Sequence, residues 1–207
     1  MDAKIGALPM PPGTSPFHVK GTTYLAMVDF ARTLPGGLDS VAAKLDDPAL
    51  VAFLRQVVLP IAQYDALPIA PISEAIAAVE GRSLGDSISQ RARGVAEHDV
   101  SVMQRLLFRL VSPDTIVVDR LPKVALRYFD FGHASGRLLG PKKGEIRLER
   151  IPTILAPWFL HMLRGYVAFV LSNAGASNPV VREVSTTVDG ERGGVTTSTL
   201  LCAATWS

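Results

Sequence analysis

From residue 152 to about 173 the chain is apolar on every side of a helical wheel. Ile154, Leu155, Trp158, Phe159, Met162, Leu163, Tyr166, Val167, Phe169 and Val170 leave it no polar face. A helix of that kind is wrapped by protein on most sides. The residues before and after it alternate in polarity instead. Upstream, Ile146 and Leu148 alternate with Glu145, Arg147 and Glu149, which predicts strands over 137–139 and 145–150, joined by a turn at 140–144. Downstream, strands are expected over 180–188 and 195–206, joined by the glycine-rich turn 189–194. Two hairpins flanking a buried helix predict an α+β fold, with N-terminal helices packed on a four-stranded antiparallel sheet.

The first two-thirds of the chain reads as helices. One is expected over 22–33, with Leu25, Val28 and Ala31 or Arg32 on one side, stopped by Leu34, Pro35, Gly36 and Gly37. A short one follows over 38–45. Asp46, Asp47 and Pro48 then cap a helix burying Leu50, Phe53, Leu54 and Val57. The stretch 59–71 is too rich in proline to be regular. Helix is expected again over 72–80, ending at Gly81. Ser83 with Asp86 three residues on signals a start; that helix should run through Ala96, break around 94–99, and resume over about 100–110. Ser112, Pro113 and Asp114 open another, bearing Val117, Leu121, Val124 and Tyr128 on one face, and Pro122 should bend or interrupt it. Residues 1–16, with four prolines, read as an extended tail before a single domain over 17–207.

Composition narrows the partners. At 207 residues the chain suits one core, and 48% hydrophobic against 19% charged residues is a folded rather than a disordered balance. Net charge is +2 without a run of five like charges, which argues against a nucleic-acid surface. Lys142, Lys143, Arg147 and Arg150 read as a solvated hairpin tip. The single Cys202 excludes an internal disulfide and a thiolate-rich zinc site, and its apolar neighbours make it a small buried hydrophobe. No stretch holds eighteen uninterrupted apolar residues, so no transmembrane segment is expected. The N-terminus lacks the apolar core of a signal peptide, so a cytoplasmic location is expected.

No catalytic motif stands out: there is no nucleophile elbow, no phosphate-binding glycine loop and no dinucleotide fingerprint. His18, His98, His133 and His161 show no i, i+4 pair, and no metal site is expected. His98, between Glu97 and Asp99, is the one enzymatic candidate, with Asp65 or Tyr64 as a helper; the alternative is a solvated histidine. His161 and Arg164 sit on the apolar helix and need partners, either Glu145 or Asp130 or an anionic ligand group. The aromatic run Tyr128, Phe129 and Phe131, with Trp158 and Tyr166, reads as core packing or as the wall of an apolar pocket. Tyr128, Phe129, Phe131, Trp158, His161, Arg164 and Tyr166 are therefore the candidate ligand-binding set.

Several short segments carry a resemblance. Residues 106–113 (LLFRLVSP), 120–123 (RLPK), 127–132 (RYFDFG) and 139–141 (LGP) resemble an uncharacterised protein family expanded in myxobacteria. Its members similarly have a leading Val-x-Gly (Val19 and Gly21), a late Ala174 and Gly175, and a last strand ending near Trp206. The resemblance spans about residues 18–206. It departs at Phe129, Asp130 and Phe131, where a glycine-rich approach to the hairpin is expected. The element order is also similar to the group containing haem-nitric-oxide-binding domains, vinyl-reductase-type sensors and transport-particle subunits. That resemblance implies binding or scaffolding. With the aromatic cluster and the all-round apolar helix it leads to a non-catalytic regulatory domain binding an apolar or amphipathic small molecule. The alternative, from helices with more apolar surface than one domain can bury, is a homodimeric module without ligand. The resemblance implies no haem cofactor, because Tyr128 and Phe129 stand where the proximal histidine is expected.

Overall fold

The computed structural model describes residues 7–99 and 112–207, the side chains of His98, Asp99 and Ala125 excepted. The expected helix over 100–110 and the first six residues of the tail lie outside the described residues.

The chain opens with β1 (His18–Lys20), α1 (Gly21–Thr33), α2 (Gly37–Ala42), α3 (Pro48–Arg55), β2 (Gln63–Asp65), α4 (Ile69–Glu80) and α5 (Leu84–Asp99). Next comes α6, a helical segment in three parts: Pro113–Thr115, a π-helical turn at Ile116–Arg120, and Leu121–Ala125. Strands β3 (His133–Gly140) and β4 (Lys143–Pro152) form the first hairpin. A 3₁₀ turn at Thr153–Leu155 leads into α7 (Ala156–Asn173), and β5 (Val180–Arg192) with β6 (Val195–Thr205) closes the chain. The sheet order is β3-β4-β6-β5, antiparallel throughout, so the two hairpins join through β4 and β6.

The caps are where the side chains dictate them. Asp47 accepts from the Ala49 amide with Pro48 in the first turn of α3. Ser83 Oγ accepts from the Asp86 amide at 3.1 Å, and Gly81 ends α4 in the left-handed conformation. Boundaries differ from expectation in several places: β3 begins at His133, α6 ends before Tyr128, and β5 runs to Arg192, which shortens the turn before β6. The proline-rich connector contains β2, paired with β1, and α4 starts at Ile69, because Pro71 lies in the first turn, where no amide partner is needed. Helix α5 does not break near Gly94. Ala92 and Ala96 are buried on its inner side, and that packing outweighs the ~1 kcal/mol a helical glycine costs. Pro122 falls where α6 is interrupted: a π-helical turn ends at Arg120 and a new α-helical turn starts at Leu121, with the proline in its first turn. The proline-rich segment, expected as a loose tail, is held from Gly13 onward: the buried Asp65 carboxylate accepts from the amides of Gly13 and Ser15 and from Ser15 Oγ.

The core lies between the sheet and α7. Ile146 and Leu148 of β4 and Leu200, Cys202 and Ala204 of β6 face inward, while Glu145 and Arg147 face out with Glu145 bridged to Arg137. By length and composition alone Thr153–Asn173 would be long and apolar enough to cross a membrane, but most of it is buried inside the protein, as in a core helix. Helix α5 packs directly on α7. Two glycines permit the close approach: Gly85 faces the His161 ring, where a Cβ would stand 2.6 Å from Cε1, and Gly165 faces the Ser89 carbonyl.

A cavity between the first, fifth and seventh helices

The aromatic run after α6 is held in place by backbone pairing. Val19 bridges Phe129 across β1, and the Lys20 amide donates to the Tyr128 carbonyl at 2.8 Å. The Asp130 carboxylate accepts from the His18 amide and lies 2.8 Å from His18 Nδ1. This pins Phe129 and Phe131 inward, on the alternation a strand imposes. Phe129 meets Phe159 at 5.0 Å and Trp158 at 6.0 Å between ring centroids, while Phe131 meets Phe17 edge-on at 5.2 Å. Tyr128, on the other side, is half-buried, with Lys20 and Arg127 against its ring.

Beside this cluster lies a cavity of about 1270 Å³. Its described wall comes from α1 (Thr23, Ala26, Met27, Phe30), α5 (Ile88, Arg91, Val95), α6 with the residues after it (Leu121, Val124, Tyr128, Phe129) and α7 (Trp158, Phe159, Met162, Leu163, Tyr166, Val170). Such a volume exceeds that of most drug-sized pockets, roughly 300–1,000 Å³, and the mostly apolar lining suits an apolar guest. The charged residues of the described wall are one carboxylate, Glu80, and four arginines, Arg82, Arg91, Arg120 and Arg127.

The candidate set divides. Tyr128, Phe129, Trp158 and Tyr166 line the cavity; Phe131, His161 and Arg164 are not among the residues lining it. Phe131 is 5% exposed, packed between Phe17 and Phe159. His161 and Arg164 do not reach Glu145 or Asp130, which are engaged by Arg137 and His18. Arg164 Nη1 instead approaches His161 Nδ1 at 3.2 Å, on the side of α7 that meets Gly85. The enzymatic candidate loses its helpers: Asp65 is consumed by Gly13, Ser15 and Leu67, and Tyr64 donates towards Val57 and accepts from the Leu59 amide. Glu97 pairs with Arg93 at 3.3 Å, and the side chains of His98 and Asp99 lie outside the described residues. Among the described residues no three His, Cys, Asp or Glu side chains converge on a point.

Sequence reasoning missed the contribution of α1 and α5. Thr23, Met27 and Phe30 follow an i, i+4, i+7 spacing that marks a second apolar face on α1, separate from the buried Tyr24, Val28 and Ala31. The signal for α5 is an arginine amid small residues.

The elements define an α+β domain in which helices pack on an antiparallel sheet beside a partly open cavity. Comparison with solved structures identifies that fold as the one of H-NOX domains, the haem-nitric oxide/oxygen-binding domains. A point mutant of the T. tengcongensis H-NOX superposes with a TM-score of 0.62 at 15% identity, covering 91% of this chain and 97% of that one. A Cs H-NOX mutant carrying 4-cyano-L-phenylalanine gives 0.61 at 14%, covering 91% and 96%. An oxygen-binding H-NOX domain related to soluble guanylate cyclases, in its oxygen complex, gives 0.53 at 15%, covering 90% and 92%. No family model and no curated protein matches the chain.

Proposed function

We propose that this chain is a non-catalytic ligand-binding domain that holds an apolar or amphipathic small molecule between α1, α5 and α7. The observation that carries this reading is the 1270 Å³ cavity with its aromatic and aliphatic wall. Close packing leaves few voids larger than a water molecule in an ordinary core. A partly open space of this size beside a packed aromatic cluster supports a binding site. The likeness to domains that bind oxygen supports a sensing or carrying role over a catalytic one.

Solved neighbours of this fold are described with haem, and the described wall offers that group's iron no histidine and no thiolate. Haem iron is held by histidine, thiolate, tyrosinate, or methionine opposite histidine. No histidine or cysteine is among the described lining residues. Met27 and Met162 lack an imidazole opposite them there, and the remaining candidate donors of the described wall are the phenols of Tyr128 and Tyr166. We assign no role to iron.

The neutral dye Nile red tests the reading. It should bind with a blue-shifted, saturable emission at one site per chain. Ala26→Trp, at an exposed position of the cavity wall, should block it. Emission unchanged by the protein, or by the plug, would contradict the proposal.

A second reading, a homodimeric module without ligand, rests on β5. This edge strand is exposed along nearly its whole length and presents Val180, Val184 and Val188 to solvent. An unpaired edge of this kind can be completed by a second copy. Light scattering at tens of micromolar should then give twice the chain mass, and a strict monomer would remove the reading.

A further inference from the structure

Arg91 on α5 lines the cavity with a guanidinium that the protein itself only half satisfies. Nε reaches the Ser87 carbonyl at 3.4 Å, the long limit of a hydrogen bond, and the group lies 5.5 Å from the Phe30 ring centroid. Nη2 is buried and has no hydrogen-bond partner. A buried charged donor left unpaired is strongly unfavourable, and such groups in native structures call for an explanation. The chain offers little relief. Glu80, the one carboxylate among the described lining residues, accepts from Ser87 Oγ and pairs with Arg82 at 3.7 Å. Burial pulls the Arg91 guanidinium down to about 10, opposed by the charge of Glu80, so at neutral pH it still carries its proton.

We propose that the cavity takes a long-chain carboxylic acid, whose carboxylate accepts from Arg91 Nη2 while its tail lies along Met27, Phe30, Leu163, Tyr166 and Val170. The inference rests on the ligand-cavity reading above and adds the chemistry of the head. Four arginines in the described wall disfavour a cationic head. A neutral head would leave the charge on Arg91 unmet. Glu80 already offsets part of the charge near Arg91, so a monoanionic carboxylate is enough to meet what remains there. Guanidinium and carboxylate also share a planar, two-donor geometry.

Displacement of Nile red by ligands with one tail and four heads tests this: dodecanoate, dodecanol, dodecyl phosphate and dodecyltrimethylammonium, each below its micelle threshold. Dodecanoate should displace the dye at a concentration lower than dodecanol by about tenfold or more, the scale of one charge-assisted hydrogen bond. Dodecyl phosphate should fall below dodecanoate, and the ammonium should be weakest. In Arg91→Met the dodecanoate-to-dodecanol ratio should collapse towards one, and in Arg91→Lys it should keep its sign at reduced size. Using the ratio within each variant cancels changes in dye affinity. Should Arg91→Met fail to fold, the wild-type ordering and Arg91→Lys decide. Equal potency of acid and alcohol, a winning phosphate or ammonium, or a ratio that survives Arg91→Met would overturn the carboxylate assignment while leaving the cavity reading intact. Failure of wild-type protein to bind Nile red would overturn both.

Discussion

Gly165 of α7 faces the carbonyl oxygen of Ser89 on α5 with no space between them for a side chain. A Cβ at position 165 would overlap that oxygen and stand 2.9 Å from the Ala92 Cβ. The contact sets the spacing of two helices that both line the cavity. Gly165→Ala should therefore destabilise the protein by about 1–3 kcal/mol through overpacking, even though alanine favours a helix over glycine by roughly 1 kcal/mol. Gly94→Ala is the control: nothing lies within 4 Å of its added Cβ, so helix propensity should act alone and stabilise by up to about 1 kcal/mol. Urea denaturation of both variants measures the pair, and a neutral or stabilising Gly165→Ala would contradict the packing described.

Phe159 and Tyr166 both line the cavity from α7 but differ in burial. Phe159 is 2% exposed and touches Phe129, Phe131 and Trp158, whereas Tyr166 is half-buried on the cavity wall. Phe159→Ala should cost about 3–5 kcal/mol, the usual range for a buried aromatic. Tyr166→Ala should cost clearly less and weaken Nile red binding. Lys142→Ala, on the solvent-exposed hairpin turn, should stay within about 0.5 kcal/mol of wild type. Equal losses at 159 and 166 by thermal or urea unfolding would count against this division.

The thiol of Cys202 should be inert in the folded protein. Burial pushes it up to about 12, and the charge of Glu183 adds to the effect. Thiolate is the reactive species. At pH 8 Ellman's reagent should label Cys202 only in denaturant; rapid labelling of native protein would show that β6 is not packed as described.

Asp189 ties three strands together. Its carboxylate accepts from the Arg150 amide at 2.8 Å and from Thr197 and Thr199 hydroxyls at 2.7 Å each. Partial burial alone would raise its pKa, but these hydrogen bonds and the charge of Arg150 bring it below the ordinary 3.8. A carboxylate depressed in the folded state adds stability above its unfolded pKa, and that stability is lost as pH falls through the folded value. Between pH 7 and pH 3 wild type should therefore lose more stability than Asp189→Asn, read as the shift in urea midpoint. Identical slopes would contradict the network.

The large elements were legible because periodicity is a local property. The apolar α7, the two hairpins and the caps at Asp47 and Ser83 all announce themselves within a few residues. What was not legible depends on contacts distant in sequence. Gly94 reads as a helix break until Ala92 and Ala96 are seen buried. Asp65 reads as a free acid until Gly13 and Ser15 are found bonded to it. The half of the site supplied by Phe129, Trp158 and Tyr166 was visible as an aromatic cluster. The half from Met27, Phe30 and Arg91 was not, because nothing in the sequence says that α1 and α5 stand apart on the side facing α7.

Native mass spectrometry of the full chain, purified without detergent from the cells that express it, tests the central claim most directly. A population heavier than the chain by one small molecule is expected. That mass should be released on denaturation, be recovered as an organic acid in the extract, and be absent from Ala26→Trp. A chain mass without adduct, in protein that also fails to bind Nile red, would contradict the account.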